Sequence, residues 1–259
     1  MEFYSCIPEA KIALFVKNIL VFEESEKVPK TILPFFADGY PGLMFQQTSN
    51  GLHVNPHEKE MPALFLYGQT IKPIELVMEG KYKLMVFQLY PFVLRSFFNI
   101  NPKDINDNCF NLQELNQSEI TTAIEQLQNS DDFKSNIEII TSLLYRYFEI
   151  KKNELDLTIR QAIQCIDEHQ GQLSITDLCH QLDLNERTLE RKFISQVGIS
   201  AKQFSKIIQF QQSLEQLTIR DYTKLTDIVY ANGFSDQSHF IKVFKAFTGK
   251  TPKTFQKNN

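Results

Sequence analysis

At 259 residues, 42% hydrophobic and 22% charged, the chain has globular and not disordered composition, and length for two ordinary domains or one large one. No stretch of about eighteen uncharged apolar residues occurs, so no membrane span is expected, and the four scattered cysteines Cys6, Cys109, Cys165 and Cys179 form no C-x-x-C pair, which argues against metal clusters and disulfides and for a reducing cytoplasm. The net charge of -4 hides an asymmetry: residues 155–259 carry 13 Lys+Arg against 11 Asp+Glu, and from Arg187 onward the balance is 12 against 5.

A basic tail behind an acidic front is what a phosphate-binding module fused to a second domain shows. A solvated basic face shows the same charge, so charge alone decides nothing. Residues 1–10 lack a basic segment followed by an apolar run, and no secretory signal is expected.

In chain order, the first half reads as strands. Short apolar runs at 11–22, 31–36, 42–47, 63–67, 71–78 and 82–89 are broken by Pro, Gly, Asn and Asp. The last two runs predict a hairpin around Glu79-Gly80. Several short strands separated by turns predict a small barrel or sandwich. After Pro91 the texture becomes helical. Residues 118–127 predict a helix with Ser118 as its cap, and 131–151 a longer one. In the latter, Phe133, Ile137, Ile140, Leu144, Tyr147 and Phe148 recur at three-to-four spacing and form one apolar face. That face either packs on the strand domain or makes a helix–helix contact in a homodimer. The polar residues 151–154 are the candidate linker between a domain at 1–150 and one at 155–259.

From residue 155 the chain predicts short helices, two groups of which resemble each other. Ser174 and Asp177 have capping spacing before a helix running to about Leu182. Asp183-Leu184-Asn185 makes the turn, and Asn185 caps a second helix that Gly198 stops. On that helix Leu189, Phe193 and Val197 fall on one side, and Arg187, Glu190 and Arg191 on the other. These are the parts of a helix-turn-helix. About fifty residues later Leu225–Val229 matches Ile175–Cys179, Gly233 gives the turn, and Ser235 is expected to cap a helix at 236–247 that ends at Gly249. Phe240, Val243, Phe244 and Phe247 are its expected buried face, with Ser238, Lys242 and Lys245 opposite and Gln237 and His239 on the flanks. Residues 201–217 predict a connecting helix of about 24 Å. Two units on such a spacer can reach successive major-groove faces, about 34 Å apart.

The stretch Gly233-Phe234-Ser235-Asp236-Gln237-Ser238-His239-Phe240, followed by Phe244-Lys245-Ala246-Phe247-Thr248-Gly249-Lys250-Thr251-Pro252, resembles the signature of AraC/XylS-type regulators. Asn185-Glu186-Arg187-Thr188-Leu189-Glu190-Arg191-Lys192-Phe193 resembles the first recognition helix of that family. The resemblance covers roughly residues 155–257. It implies a sequence-specific regulator of transcription, usually an activator, with double-stranded DNA and RNA polymerase as partners. Carried over by position, it assigns base contacts to Arg187, Glu190 and Arg191 on the first helix and to Gln237, Ser238, His239 and Lys242 on the second. The chemistry agrees: Arg pairs with guanine, Gln with adenine, and Glu accepts from cytosine. Lys206, Lys245, Lys250 and Lys253 fit phosphate contacts, which position without specifying. Two local alternatives stand beside these roles: Glu190 paired with Arg187 or Arg191, and His239 capping or packing within the domain. Phe234, Phe244 and Phe255 are expected in the core. Gln209, Ala201 and Val229 depart from the family pattern of a basic residue, a Pro and a small residue at those positions.

The run at 33–45 with that at 68–75 resembles the front domain of regulators of this type that lack a known ligand. The resemblance implies a cupin-like domain that senses a small effector or mediates dimerisation. The expected fold class is therefore α+β, with a cupin-like barrel or sandwich, trailing helices and an all-α domain of two helix-turn-helix units. A pocket lined by some of Phe35, Phe36, Phe45, Phe65, Phe87 and Tyr90 is one reading of the aromatic content, and plain core is the other. His53, His57 and Glu58 are the only candidate metal ligands and are expected in a surface loop. No G-x-S-x-G, H-E-x-x-H or phosphate-binding glycine loop occurs. No metal, cofactor or catalytic residue is expected, and the effector-binding residues are left open. A front half that is a small-molecule enzyme, or a ligand-free interaction module, remains the alternative.

Overall fold

The run Tyr82–Leu89 becomes a central strand because both of its faces find a buried partner surface. In the computed structural model, which describes residues 2–56, 58–220 and 222–257, the chain divides into two compact units. The first holds residues 1–34, 40–68 and 74–155, and the second holds 35–39, 69–73 and the chain from 156 on.

The strands are β1 (Glu2–Cys6), β2 (Val16–Glu24), β3 (Thr31–Phe35), β4 (Gly42–Thr48), β5 (Leu52–Asn55), β6 (Lys59–Glu60), β7 (Leu64–Tyr67), β8 (Ile74–Met78), β9 (Tyr82–Leu89) and β10 (Cys109–Asn111). They form a sheet of order β1-β2-β9-β4-β7-β10 and a second of order β3-β8-β5-β6. β9 pairs antiparallel with both β2 and β4, with Met85 opposite Val21 and Phe45. By the two-residue period of a strand, Leu43, Phe45, Met85 and Phe87 share one face. All four belong to a core cluster with α1 (Phe92–Phe98), α2 (Ser118–Gln128) and α3 (Phe133–Lys151). Met44, Phe65 and Val86, in register with one another, face the other way and are buried too.

Several expectations change here. The hairpin at Glu79-Gly80 does not form: β8 pairs with β5 in one sheet while β9 lies in the other. Gly80, at φ +75°, turns the chain between sheets because both edges of β9 are already taken. The run at 11–22 is a strand only from Val16. Residues before it form a helical turn, with Val16 N–H bonded to Ile12 O at 2.8 Å and Ile12 and Phe15 buried. His53 is no loop residue but sits in β5, opposite Val77 and Glu60. His57 lies outside the described residues. Ser118 opens α2 without capping it, since Gln117 holds the cap position. Among the described residues no group of three or more His, Cys, Asp or Glu is placed to hold a metal ion, and no helix is long and apolar enough to cross a membrane.

The apolar face of α3 is spent inside its own unit. Ile140 and Leu144 are fully buried in the core cluster. Phe133, Ile137 and Tyr147 are half-buried against it. Phe133 lies under the Lys83 ammonium, 4.5 Å from the ring centre, and meets the Tyr4 ring edge at 5.6 Å. Tyr147 packs on Phe98 at 4.8 Å and donates its hydroxyl proton to Gln117 Oε1. Burial pushes that hydroxyl up to about 12. The dimer reading is therefore corrected for Ile140 and Leu144, whose side chains have no surface left to offer. The aromatic set is also divided: Phe45 and Phe87 lie in one cluster, Phe65 on the opposite face, and Phe36 in the second unit against Phe255 at 5.8 Å.

The second unit is helical: α4 (Thr158–Glu168), α5 (Ile175–Leu182), α6 (Glu186–Val197), α7 (Ala201–Ile219), α8 (Leu225–Ala231), α9 (Gln237–Thr248) and α10 (Pro252–Lys257). Residues 35–39 and 69–73 belong to it as well. Gln211 Nε2 donates to Ala37 O at 2.5 Å, and Gln69 Nε2 to Gly39 O at 2.8 Å. Gly39 is at φ +84°, and a Cβ there would stand 3.0 Å from the Phe204 ring.

Leu144→Ala tests the assignment of the α3 face. Removing a fully buried leucine from a packed core is expected to cost about 2–5 kcal/mol in denaturant unfolding. A change in oligomeric state with unfolding stability intact would instead return Leu144 to a surface between copies.

Candidate nucleic-acid interface

Each helix-turn-helix is assembled from local hydrogen bonds that its sequence supplies. In the first, Ser174 Oγ accepts from Asp177 N at 3.0 Å and donates to the Asp177 carboxylate at 2.6 Å, which starts α5. Asp183 closes α5 in the left-handed region at φ +52°. Asn185 Oδ1 then accepts from Thr188 N at 2.8 Å to start α6, and Gly198, at φ +86°, ends it. Thr176 Oγ1 donates to the Glu186 carboxylate at 3.0 Å and ties the two helices together. Leu189, Phe193 and Val197 are buried, as their spacing predicted.

Arg187, Glu190 and Arg191 are exposed on α6, as are Glu186 and Ile194. Among the described residues no ion pair joins Glu190 to Arg187 or Arg191, so the pairing alternative is not what the structure shows. Lys192 faces elsewhere and pairs with Asp156. Partial burial pulls the Asp156 carboxyl upward, but the hydrogen bonds from Lys192 and Thr158 outweigh it and hold it below its ordinary range.

In the second unit, the Asp227 carboxylate accepts from Lys224 N at 2.6 Å and starts α8. The cap of α9 is Asp236, not Ser235. Asp236 Oδ1 accepts from His239 N at 2.8 Å, and the helix begins one residue later than the sequence suggests. Ser235 Oγ instead lies 3.3 Å from the Asp236 carboxylate and 3.3 Å from His239 Nδ1. The backbone bond from His239, with lesser help from Ser235, lowers the Asp236 carboxyl pKa. Phe240, Val243, Phe244 and Phe247 are buried, and so are Phe234 and Phe255. Gln237, Ser238, Lys242 and Lys245 are exposed. His239 is half-buried, edge-on to the Phe234 ring at 5.8 Å. The packing alternative for His239 is thus present in the structure. Lys250 and Lys253 are exposed and Lys206 is half-buried.

The spacer α7 has 19 residues, two more than expected, and is about 28 Å long. Ser200 caps it, and Ala201 is buried just inside. Phe204 meets Phe193 of α6 at 6.0 Å, while Phe210 meets Phe244 and Phe247 of α9 at 5.6 and 5.0 Å. Val229 is fully buried, so the larger side chain at that position is absorbed by the core. Sequence reasoning missed three polar residues of this unit: Gln172, Gln216 and Asn232. It also missed Tyr230, which is 68% exposed at the end of α8. Only Asn232, before Gly233, carried a turn signal.

A helix-turn-helix domain model matches residues 178–258, and a model of a domain of unknown function (DUF6597) matches residues 4–111. Uncharacterized HTH-type transcriptional regulators of Staphylococcus aureus strains MSSA476 and MRSA252 are each 31% identical over 102 residues, 39% of this chain. The match spans only 14% of the length of those relatives. The Msm operon regulatory protein of Streptococcus mutans is 24% identical over 139 residues, covering 53% of this chain and 50% of its own. Among solved structures, fatty-acid-bound ToxT from Vibrio cholerae is 16% identical at a TM-score of 0.47, over 92% of this chain and 94% of its own. The C-terminal domain of AraT from Geobacillus stearothermophilus is 23% identical at 0.38, over 40% of this chain and 88% of its own.

Two consequences are measurable. Asn185→Ala leaves the first donors of α6 without a partner and is expected to cost about 0.5–2 kcal/mol in unfolding experiments. For Asp236, the lowered folded pKa means that its contribution is fully present above the unfolded value of about 3.9 and is lost as pH falls through the folded one. An Asp236→Asn variant should therefore show a flatter loss of stability between about pH 5 and pH 2 than the parent. Superimposable profiles would remove the cap.

Proposed function

The C-terminal region of this chain is a helix-turn-helix domain of the AraC type, and from that premise we propose that the protein regulates transcription by reading a two-part DNA site. The observation that carries this is the pairing of α6 and α9. Both are capped, both are buried on one face, and both leave Arg or Lys with polar neighbours exposed on the other. In this reading Arg187, Glu190 and Arg191 contact base edges from α6, and Gln237, Ser238 and Lys242 do so from α9. His239 contributes from the flank through its unburied side. Lys245, Lys250, Lys253 and Lys206 hold phosphates.

Activation through RNA polymerase, a cytoplasmic location and control by a small effector belong to the same proposal. Among the described residues the first unit has open recesses lined by both polar and apolar side chains, one of about 640 Å³ between α2 and α3 and one of about 450 Å³ at the ends of β2, β4 and β9. Compounds that bind either recess, detected by NMR, should change DNA affinity; binding without such a change removes effector control. Two copies, if they pair, use surfaces other than Ile140 and Leu144, and equilibrium sedimentation tests the pairing.

The main test is selection of a DNA site from random sequence followed by salt titration. Absence of sequence-selective binding at moderate salt would sink the reading. Arg191→Ala is expected to cost about 1–3 kcal/mol and relax preference at one base position. Uniform loss across sequences would show instead that Arg191 holds phosphate. Lys245→Ala is expected to weaken all sequences alike and lower the salt slope by about one.

A further inference from the structure

The two helix-turn-helix units are joined by α7, but α7 is not their only link. The turn that follows α4 carries Gln170 and Gly171, both at positive φ, and then Gln172, two residues before the Ser174 cap of the first unit. Gly171 approaches α7 so closely that a Cβ there would lie 2.3 Å from Ser205 O and 2.9 Å from Gln209 Cγ. Gln209 is the position where the family pattern carries a basic residue; here its side chain lies against this turn. Gln172 reaches further. Its Nε2 donates to Ala231 O at 2.9 Å, at the end of α8, a carbonyl that the helix itself leaves without a partner. The Gln172 side chain also lies within 3.0–3.2 Å of where a Cβ on Gly233 would stand, and Gly233 is at φ +72°, where a side chain is strained. Beside it the buried Asn232 donates through Nδ2 to Gln216 Oε1 on α7 and to Ile228 O on α8, both at 2.8 Å.

These contacts close a loop. α7 leads from the first unit to the second, and Gln172 leads back from the second to the root of the first. Phe244 and Phe247 seat the second unit on Phe210 of α7, and the Gln172 bond to Ala231 adds a second attachment that restrains rotation about that contact.

We propose that Gln172, with Asn232 and Gln216, is a positioning junction that sets the angle between α6 and α9 and thereby the spacing of half-sites the protein accepts. The proposal deepens the DNA-reading function above and rests on it. None of the three residues need touch DNA. One inserted base pair rotates the outer half-site by about 35° and shifts it by about 3.4 Å, a mismatch that a rigid pair of helices cannot follow and a loose pair can.

The test uses the full chain and the selected site, with variants of that site carrying one base pair more or fewer between its halves. The parent protein is expected to lose about tenfold or more in affinity on either change. Gln172→Ala should bind the parent site more weakly yet lose less than about threefold on the same changes, and Asn232→Ala should behave alike. Arg191→Ala serves as comparison: it weakens binding at every spacing and keeps the full penalty. A Gln172→Ala protein with the parent's spacing penalty overturns the proposal, since a merely destabilising change weakens all spacings equally. A second measurement needs no DNA. Spin labels at Ser195→Cys and Ala246→Cys, in a background with the four native cysteines replaced by serine, report the distance between α6 and α9. The distribution should broaden on Gln172→Ala, and an unchanged width overturns the proposal. Failure of the function itself appears differently, as absence of any selected site while the label distances still report on the junction.

Discussion

The second unit depends on two phenylalanines of one helix. α7 offers Phe204 to Phe193 of α6 and Phe210 to Phe244 and Phe247 of α9. Six residues apart at one hundred degrees each, the two rings leave α7 on sides about 120° apart. Each recognition helix therefore docks its apolar stripe on a different flank of the same rod. The cationic residues of α6 and α9 are outward because the opposite faces are committed to these rings. Burial of such aromatic pairs contributes a large apolar term at each docking site. The capping bonds and the Gln172–Ala231 contact adjust the direction of helices whose attachment the rings have already decided.

The first unit follows the same logic with a sheet in place of the rod. β9 is flanked on both edges and buried on both faces, so the residues around it are sorted by parity. Met85 and Phe87 go to the helical side and Val86 to the other. The apolar stripe of α3 completes the helical side, and Ile140 and Leu144 are fully buried there. Lys83, between Met85 and the strand end, reaches Asp131 O at 2.6 Å and the Phe133 ring, and so holds the start of α3 to the sheet.

Much of the second unit was legible along the chain because its signals are local. Ser174, Asn185, Gly198 and Gly249 act within three or four residues of where they stand, and the buried faces of α6 and α9 repeat with the helical period. Where two capping residues stand side by side, as Ser235 and Asp236 do, the local rule names both, and the geometry of the turn chooses the carboxylate. The first unit was less legible. Glu79-Gly80 has the composition of a hairpin turn, yet strands on either side of it join different sheets. His53 in a run of Gly, Asn and Pro gave no strand alternation, yet β5 takes it because β8 and β6 supply its partners.

The sequence by itself determined the two helix-turn-helix units, the Ser174 and Asn185 caps of the first and which side of each recognition helix is polar, because these depend on the helical period and on hydrogen bonds that span a few residues. Only the tertiary structure decided what the apolar face of α3 packs against, which sheet β8 and β9 join, and that Gln172 bonds to Ala231, 59 residues further along. The reason is the same in each case. Periodicity says that a face must be buried, and residue chemistry says that a donor must find an acceptor. Which partner each one meets is settled by contacts between segments far apart in the chain, and no local pattern encodes that distance.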